Sequence, residues 1–294
     1  MTDPVGPVRS ERRGAIRLIM LDHPPVNVLS APVLEALDRE LSAAESDPLC
    51  RAVVLASAAE KAFAAGADVR EMAALDPAAA RVHGGRGQAV TRRIERLPLP
   101  VVAAVHGVCF GGGLEVALAC DLIVAGDDAQ FGQPEINLGV MPGWGGTRRL
   151  PRRVGAALAR RMILTGRPIS ATEAANAGLI ETVVPRSELL PAALRLAEEL
   201  ATKPPITLAA AKYALLHAID PGIDEGLAYE LDLWARLFGT RGQREGMAAF
   251  LEKRPMAGVD RGDWAAESSG FPWERRSAHR GEGKRDKSPA PPAE

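Results

Sequence analysis

The 294-residue sequence predicts an α/β fold, and three observations carry that prediction. Short apolar, β-branched runs such as Val101–Val105 alternate with stretches of helical periodicity. Pro and Gly cluster where one kind of run gives way to the other. Apolar residues make up 47% of the chain and charged residues 25%, enough for one large buried core with an ordinary polar surface. Beyond Val154 the periodicity turns mainly helical, so the core is expected to carry a helical appendage.

The elements follow in order. Gly14–Leu21 reads as a strand, stopped by Asp22-His23-Pro24-Pro25. Ser30 is an N-cap residue ahead of Pro32, with Leu34, Leu37 and Leu41 at helical spacing. Arg51–Ala56 is a second strand; it runs into the small-residue loop Phe63–Asp68 and a helix over Val69–Leu75. Ala78–Leu97 is helical, but His83-Gly84-Gly85 predicts a bend or interruption, because glycine is a poor helix former. Pro98 and Pro100 end it before the third strand, Val101–Val105. A glycine triplet, Gly111-Gly112-Gly113, then opens a helix from Gly112. A strand over Asp121–Ala125 and a loop around Phe131–Glu135 follow, and then a second glycine-rich turn, Pro142-Gly143-Trp144-Gly145-Gly146. Ser170–Glu173 is a capping box with Gly178 past the helix end, and Ser187 opens another helix. Helices also fit Ile206–Ala218, Glu225–Phe238 and Arg244–Glu252. After Pro255, Pro, Gly, Ser and mixed charges predict an extended or disordered tail, with Trp264, Phe271 and Trp273 read as solvent-exposed ahead of the alternative that they dock onto a neighbouring surface.

Composition excludes several function classes. A formal net charge of −1 argues against a nucleic-acid surface. Cys50, Cys109 and Cys120 lack metal-ligand spacing and read as reduced core thiols of a reducing compartment. The first fifteen residues carry Asp3, Glu11 and several Arg with no apolar run, so no targeting segment is predicted. Two acids and a glycine triplet interrupt the apolar stretch Leu99–Ala125, which argues for a buried core rather than a membrane span. A cytoplasmic location is the simple expectation.

The chemistry concentrates in that stretch. Three consecutive glycines weaken a helix or strand, so they belong where backbone turns oddly or approaches something closely. A strand-to-helix turn offers unpaired N–H groups at the positive end of a helix, suited to an anionic oxygen. Tight packing without a ligand is an equally open reading of the triplet alone. It is neither a dinucleotide fingerprint nor a P-loop, whose spacings are missing. Phe63-Ala64-Ala65-Gly66-Ala67-Asp68 is a second small-residue turn able to present another bare N–H, and two such donors make an oxyanion hole. Glu115 in apolar surroundings is costly to ionise. Glu135, just after Gln133-Pro134, supplies a second carboxyl, and paired acids in a dry pocket divide the work of general acid and base.

In this order and spacing, Phe63–Met72, Pro98–Asp121 and Gln130–Leu150 resemble the crotonase superfamily, and within it the enoyl-CoA hydratases. The resemblance covers about Gly14 to Lys253. It implies a spiral of strand–strand–helix units over residues 1–198, a helical trimerisation region over 199–254, and leaves 255–294 as the tail. It implies a homotrimer, or a hexamer of two trimers; the near-neutral charge and the interrupted apolar stretch separately speak against nucleic-acid and membrane partners. The thioester oxygen would sit between the N–H groups of Ala67 and Gly112, and Glu115 and Glu135 match the two catalytic carboxylates. Ala65, Gly66, Asp68, Arg70 and Gly143 fall at substrate- and CoA-binding positions, and Phe250 and Lys253 at positions that hold a neighbouring subunit's CoA nucleotide; Arg70 reads equally as a solvated helix residue. Met72 and Trp144 are acyl-pocket candidates; Trp144 departs from the small residue common there and would shorten or reshape the pocket. No metal or redox cofactor is expected, since CoA enters as part of the substrate.

Glutamate at both positions is the hydratase pattern, so hydration of a 2-enoyl-CoA to the 3-hydroxyacyl-CoA is the leading expectation. Double-bond isomerisation on the same scaffold is the alternative, and non-catalytic acyl-CoA binding is a third reading from a different class.

Overall fold

A computed structural model describes residues 6–217, 222–261 and 264–273. The chain opens with a hairpin, β1 (Val8–Arg13) and β2 (Ile16–Leu21), turning at Gly14 with φ +61°. Then come β3 (Val28–Leu29), α1 (Ala31–Ser46), β4 (Ala52–Ser57), β5 (Ala62–Ala64), β6 (Gly66–Ala67), α2 (Val69–Ala73) and α3 (Pro77–Glu95). The next turns of the chain are β7 (Val101–Val105), β8 (Val108–Phe110), α4 (Gly112–Ala119), β9 (Leu122–Gly126), β10 (Gln130–Gly132) and α5 (Gly146–Thr165). After β11 (Ile169–Ser170), α6 (Ala171–Asn176) and β12 (Thr182–Val184), the rest is helical: α7 (Leu189–Ala201), α8 (Pro205–His217), α9 (Ile223–Leu237), α10 (Arg241–Leu251) and α11 (Trp264–Glu267).

The strands form a spiral. Each turn lays one strand into a six-stranded sheet, ordered β1-β2-β4-β7-β9-β12, and one into a four-stranded sheet, ordered β11-β10-β8-β5. The large sheet is parallel from β2 onward, which is why its central strands read as unbroken apolar runs: both faces are covered. One face packs on α1, α3 and α4 through residues such as Leu37, Leu55 and Val105; the other packs on α7 through Val54, Val102 and Ala193. The expected strand–strand–helix repeat is present. α8 is tied to this core by Lys212, whose Nζ donates to the carbonyls of Ile94 and Leu99 and to Asp121 Oδ2, and by Tyr213, whose hydroxyl donates to Arg96 O.

Four expectations are corrected. β1 escaped notice because only Val8 is buried in it; its charged residues suit an unpaired sheet edge. α3 runs unbroken through His83-Gly84-Gly85: Asp76 caps its start, and the burial of Gly87, Val90, Thr91 and Ile94 outweighs the propensity of two glycines. Ser187 lies in a short 3-10 turn, and α7 begins only at Leu189. The aromatic residues of the tail are not solvent-exposed. Phe271 and Trp273 are buried against Ile206, Tyr213 and Leu233, and Trp264 is partly buried beside them. Their wide spacing hides a cluster that α8 and α9 complete only in three dimensions. The tail expectation at 274–294 lies outside the described residues. Among the described residues, no helix is long and apolar enough to cross a membrane.

Candidate active site

The site begins with backbone brought unusually close to backbone. Gly111 adopts φ +53°, which L side chains rarely do, and it turns the chain from β8 into α4. Gly112 opens that helix, so its N–H has no partner within it. Gly66 sits opposite at φ +108°; a Cβ there would lie 3.1 Å from Phe110 O and 3.5 Å from Gly112 N. Glycines on both sides thus let β6 reach the start of α4 and put Ala67 and Gly112 on one wall of a cleft. Gly113 completes the fit, since a Cβ there would overlap the Ala64 carbonyl.

Glu115, in the first turn of α4, is only 2% exposed. Its Oε1 accepts from Trp144 N and from Gly146 N, each at 2.7 Å. Burial pushes this carboxyl above the usual carboxylate range; the N–H groups of Gly146 and Trp144, the Arg149 guanidinium and the Gly145 N–H offset only part of that rise. Glu135 follows β10 in a 3-10 turn over Pro134–Leu138 and is partly buried. Burial pushes it up to about 7, with its own backbone N–H opposing and the nearby charge of Glu115 adding. The wholly buried Gln133 amide, oriented with its nitrogen toward Glu135, donates to Oε1 at 2.8 Å and to Oε2 at 3.2 Å. The two acids therefore sit in unlike settings: one held by backbone donors beside a cation, the other by a neutral amide beside a carboxylate.

Both line one cleft of about 320 Å³, mostly apolar, together with Ala65, Gly66, Ala67, Met72, Gly112, Gly143 and Trp144. The structure brings these nine sequence-derived residues together. It does not bring in the remaining four. Asp68 caps α2, its Oδ1 accepting from Arg70 N at 2.8 Å, and Arg70 projects from that helix into solvent. Phe250, 83% exposed, and Lys253 lie at the end of α10, away from this cleft of their own chain.

Residues 11–258 match the family described as enoyl-CoA hydratase/isomerase. The chain belongs to that family. The short-chain-enoyl-CoA hydratase of Clostridium acetobutylicum is 39% identical over 249 residues, spanning 84% of this chain and 95% of its own. The 2,3-dehydroadipyl-CoA hydratase of Escherichia coli is 43% identical over 244 residues, spanning 83% and 94%. A crystal structure of an enoyl-CoA hydratase from Bacillus anthracis superposes with a TM-score of 0.81 at 37% identity, covering 86% of this chain and 99% of that one. The spiral is thus the crotonase fold.

Within this family framework, Trp144 gains a definite place. Its indole lies between α3 and α4, where a Cβ on either Gly87 or Gly112 would overlap the ring, and it walls the cleft at 4% exposure. Its ring centroid is 6.2 Å from that of His83. Sequence reasoning missed Gln133 as the partner of Glu135, and missed the Gly143–Gly146 turn as the partner of Glu115. The first was legible as a buried-type amide two residues before an acid. The second had no local signal, since its donors lie about thirty positions along the chain from the carboxylate they hold.

Proposed function

We propose that this protein hydrates 2-enoyl-CoA thioesters to 3-hydroxyacyl-CoA. The observation that carries the reading is the pair of carboxyls in one apolar cleft, both raised by burial but differently held: Glu115 by backbone N–H groups beside Arg149, which favour its charge, and Glu135 beside the charge of Glu115, which opposes it. Glu115, facing backbone N–H groups and Arg149, acts as the ionised base; Glu135, pushed up to about 7, acts as the acid. Water gives a proton to Glu115 as its oxygen attacks C3, and Glu135 delivers a proton to C2. Charge that builds on the thioester oxygen is met by Ala67 N–H and Gly112 N–H, each such donor contributing about 3–4 kcal/mol to the transition state. Proton exchange through solvent resets the pair after product leaves. CoA enters as part of the substrate, and every step uses groups of the chain itself.

Assembly as a trimer, or as two stacked trimers, is part of this reading. The exposed apolar residues Leu227, Leu231 and Trp234 along α9, with Phe250 and Leu251 on α10, support it. Phe250 and Lys253 would then reach a neighbour's CoA nucleotide, and Arg70 a phosphate of its own. A cytoplasmic location accords with three buried free thiols.

The test is loss of conjugated enoyl-thioester absorbance with crotonyl-CoA, and a product heavier than substrate by one water. Parent protein inactive on every enoyl-CoA from C4 to C16 would sink the proposal. A product of unchanged mass from a 3-enoyl-CoA would make it an isomerase.

A further inference from the structure

Three consecutive peptide planes surround Glu115, and each is fixed from its far side. All are trans, so carbonyl and N–H point in opposite directions across each plane. Gly143 O accepts from Gln88 Nε2 at 2.9 Å, and the N–H of the same plane, Trp144 N, donates to Glu115 at 2.7 Å. Trp144 O accepts from Thr91 Oγ1 at 3.0 Å and from Arg149 Nη1 at 2.7 Å, and that plane's N–H, on Gly145, faces the carboxylate. Gly145 O accepts from the backbone N–H of Arg148 and Arg149 at the start of α5, and that plane ends in Gly146 N, again 2.7 Å from Glu115. Arg149 is itself gripped by Glu95, through Nε and Nη2 at 2.7 Å each. Its guanidinium lies so close over Gly145, at φ +116°, that a Cβ there would overlap Nη1.

Gln88, Thr91 and Glu95 are three and four residues apart, so they share one face of α3. We propose that α3 is a positioning element for Glu115: through these three side chains it aims the Gly143–Gly146 backbone at that carboxylate. Three N–H groups converging on one acid form an anion-binding concavity, and a concavity works only while its planes hold their tilt. The charged groups around Glu115 are Arg149 of α5 and Glu135 of the turn after β10. Glu95 of α3 reaches it through Arg149. His83 of α3 lines the same cleft, with Glu71 of α2 at 4.0 Å. Among them only the backbone planes answer to Thr91 and Gln88, so uncharged substitutions there change aim without changing charge.

The inference rests on the hydratase reading for its kinetic arm only. Thr91→Val keeps the shape of the buried side chain and deletes its hydroxyl; Thr91→Ser keeps the hydroxyl. Two readouts apply: kcat and KM with crotonyl-CoA, and the pH titration of the Glu115 carboxyl by carbon-13 NMR of glutamate-labelled protein, assigned with Glu115→Gln. Thr91→Val should move the Glu115 midpoint upward by about half a pH unit or more, because looser donors favour the charged form less. It should lower kcat about tenfold while KM changes less than about twofold, and Thr91→Ser should restore both. Gln88→Ala, at an exposed position, should act in the same direction and carries the test should Thr91→Val not fold. Midpoint and kcat both equal to the parent's in a folded Thr91→Val or Gln88→Ala overturn the proposal. A shifted midpoint in a protein that hydrates no enoyl-CoA leaves the positioning intact and removes the hydratase reading instead.

Discussion

The Glu135 carboxyl is pushed up to about 7, mainly by burial and then by the charge of Glu115, so folding opposes its ionisation. An unfolded glutamate titrates near 4.3. A folded-state value above that makes the group's contribution complete at pH below about 4.3 and lost as pH rises through about 7. Glu135→Gln should therefore raise the melting temperature by about 2–5 °C at pH 8, with the gain fading below pH 5, as calorimetry at the two pH values would read. The same substitution, like Glu115→Gln, should lower kcat for hydration by about 10²–10⁴. In the parent, kcat should fall above about pH 7 as the proton donor is lost, and at low pH as Glu115 takes up a proton. Glu115 and the glycine triplet were legible because glycine and buried glutamate are locally costly residues that demand a reason; the pairing of Ala67 with Gly112 came from the family resemblance. What holds those acids was not, because ordinary backbone N–H groups leave no mark in the sequence.

At the scale of elements, α3 shows how a helix can look weak in sequence and be central in structure. Its glycines predict a break, yet Gly87 is the residue that admits the Trp144 ring, and Gly84 lies open to the cleft. Alanine at position 87 would gain helix propensity and lose the indole its seat. Gly87→Ala should thus destabilise by about 1–3 kcal/mol through overpacking, read from a urea midpoint. The same change in a Trp144→Ala background should be nearly neutral or stabilising, since the coupled residues share one cavity. Trp144→Ala should also raise activity on longer enoyl-CoAs relative to C4, by about 10-fold for each well-accommodated methylene. The central strands of the large sheet, β2, β4, β7 and β9, were legible as apolar runs, and their order was not. Edge strand β1 was not, for charges on a sheet margin read as loop.

For the whole molecule, the C-terminal aromatics decide how far the folded body extends. Phe271 stacks on Trp273 at 4.6 Å between ring centroids, and Trp273 meets Tyr213 edge-on at 5.2 Å. Tyr213 in turn donates to Arg96 O, so the last described residues, α8 and the spiral form one continuous packing. Phe271→Ala should cost about 3–5 kcal/mol, seen as a single shifted unfolding transition rather than a separate early one. Two transitions would mean that the segment is an independent appendage.

Arg261 gives this continuity a direction in time. Its guanidinium donates to the carbonyls of Glu45, Asp47 and Cys50, the groups that close α1, from more than 210 residues farther along the chain. During synthesis those carbonyls are made early and wait for a donor that emerges among the last segments of the fold. Contacts of such separation are slow to close. The first helix of the spiral is thus sealed only after the more than 210 intervening residues have been translated, and a chain released before Arg261 folds around an end left open.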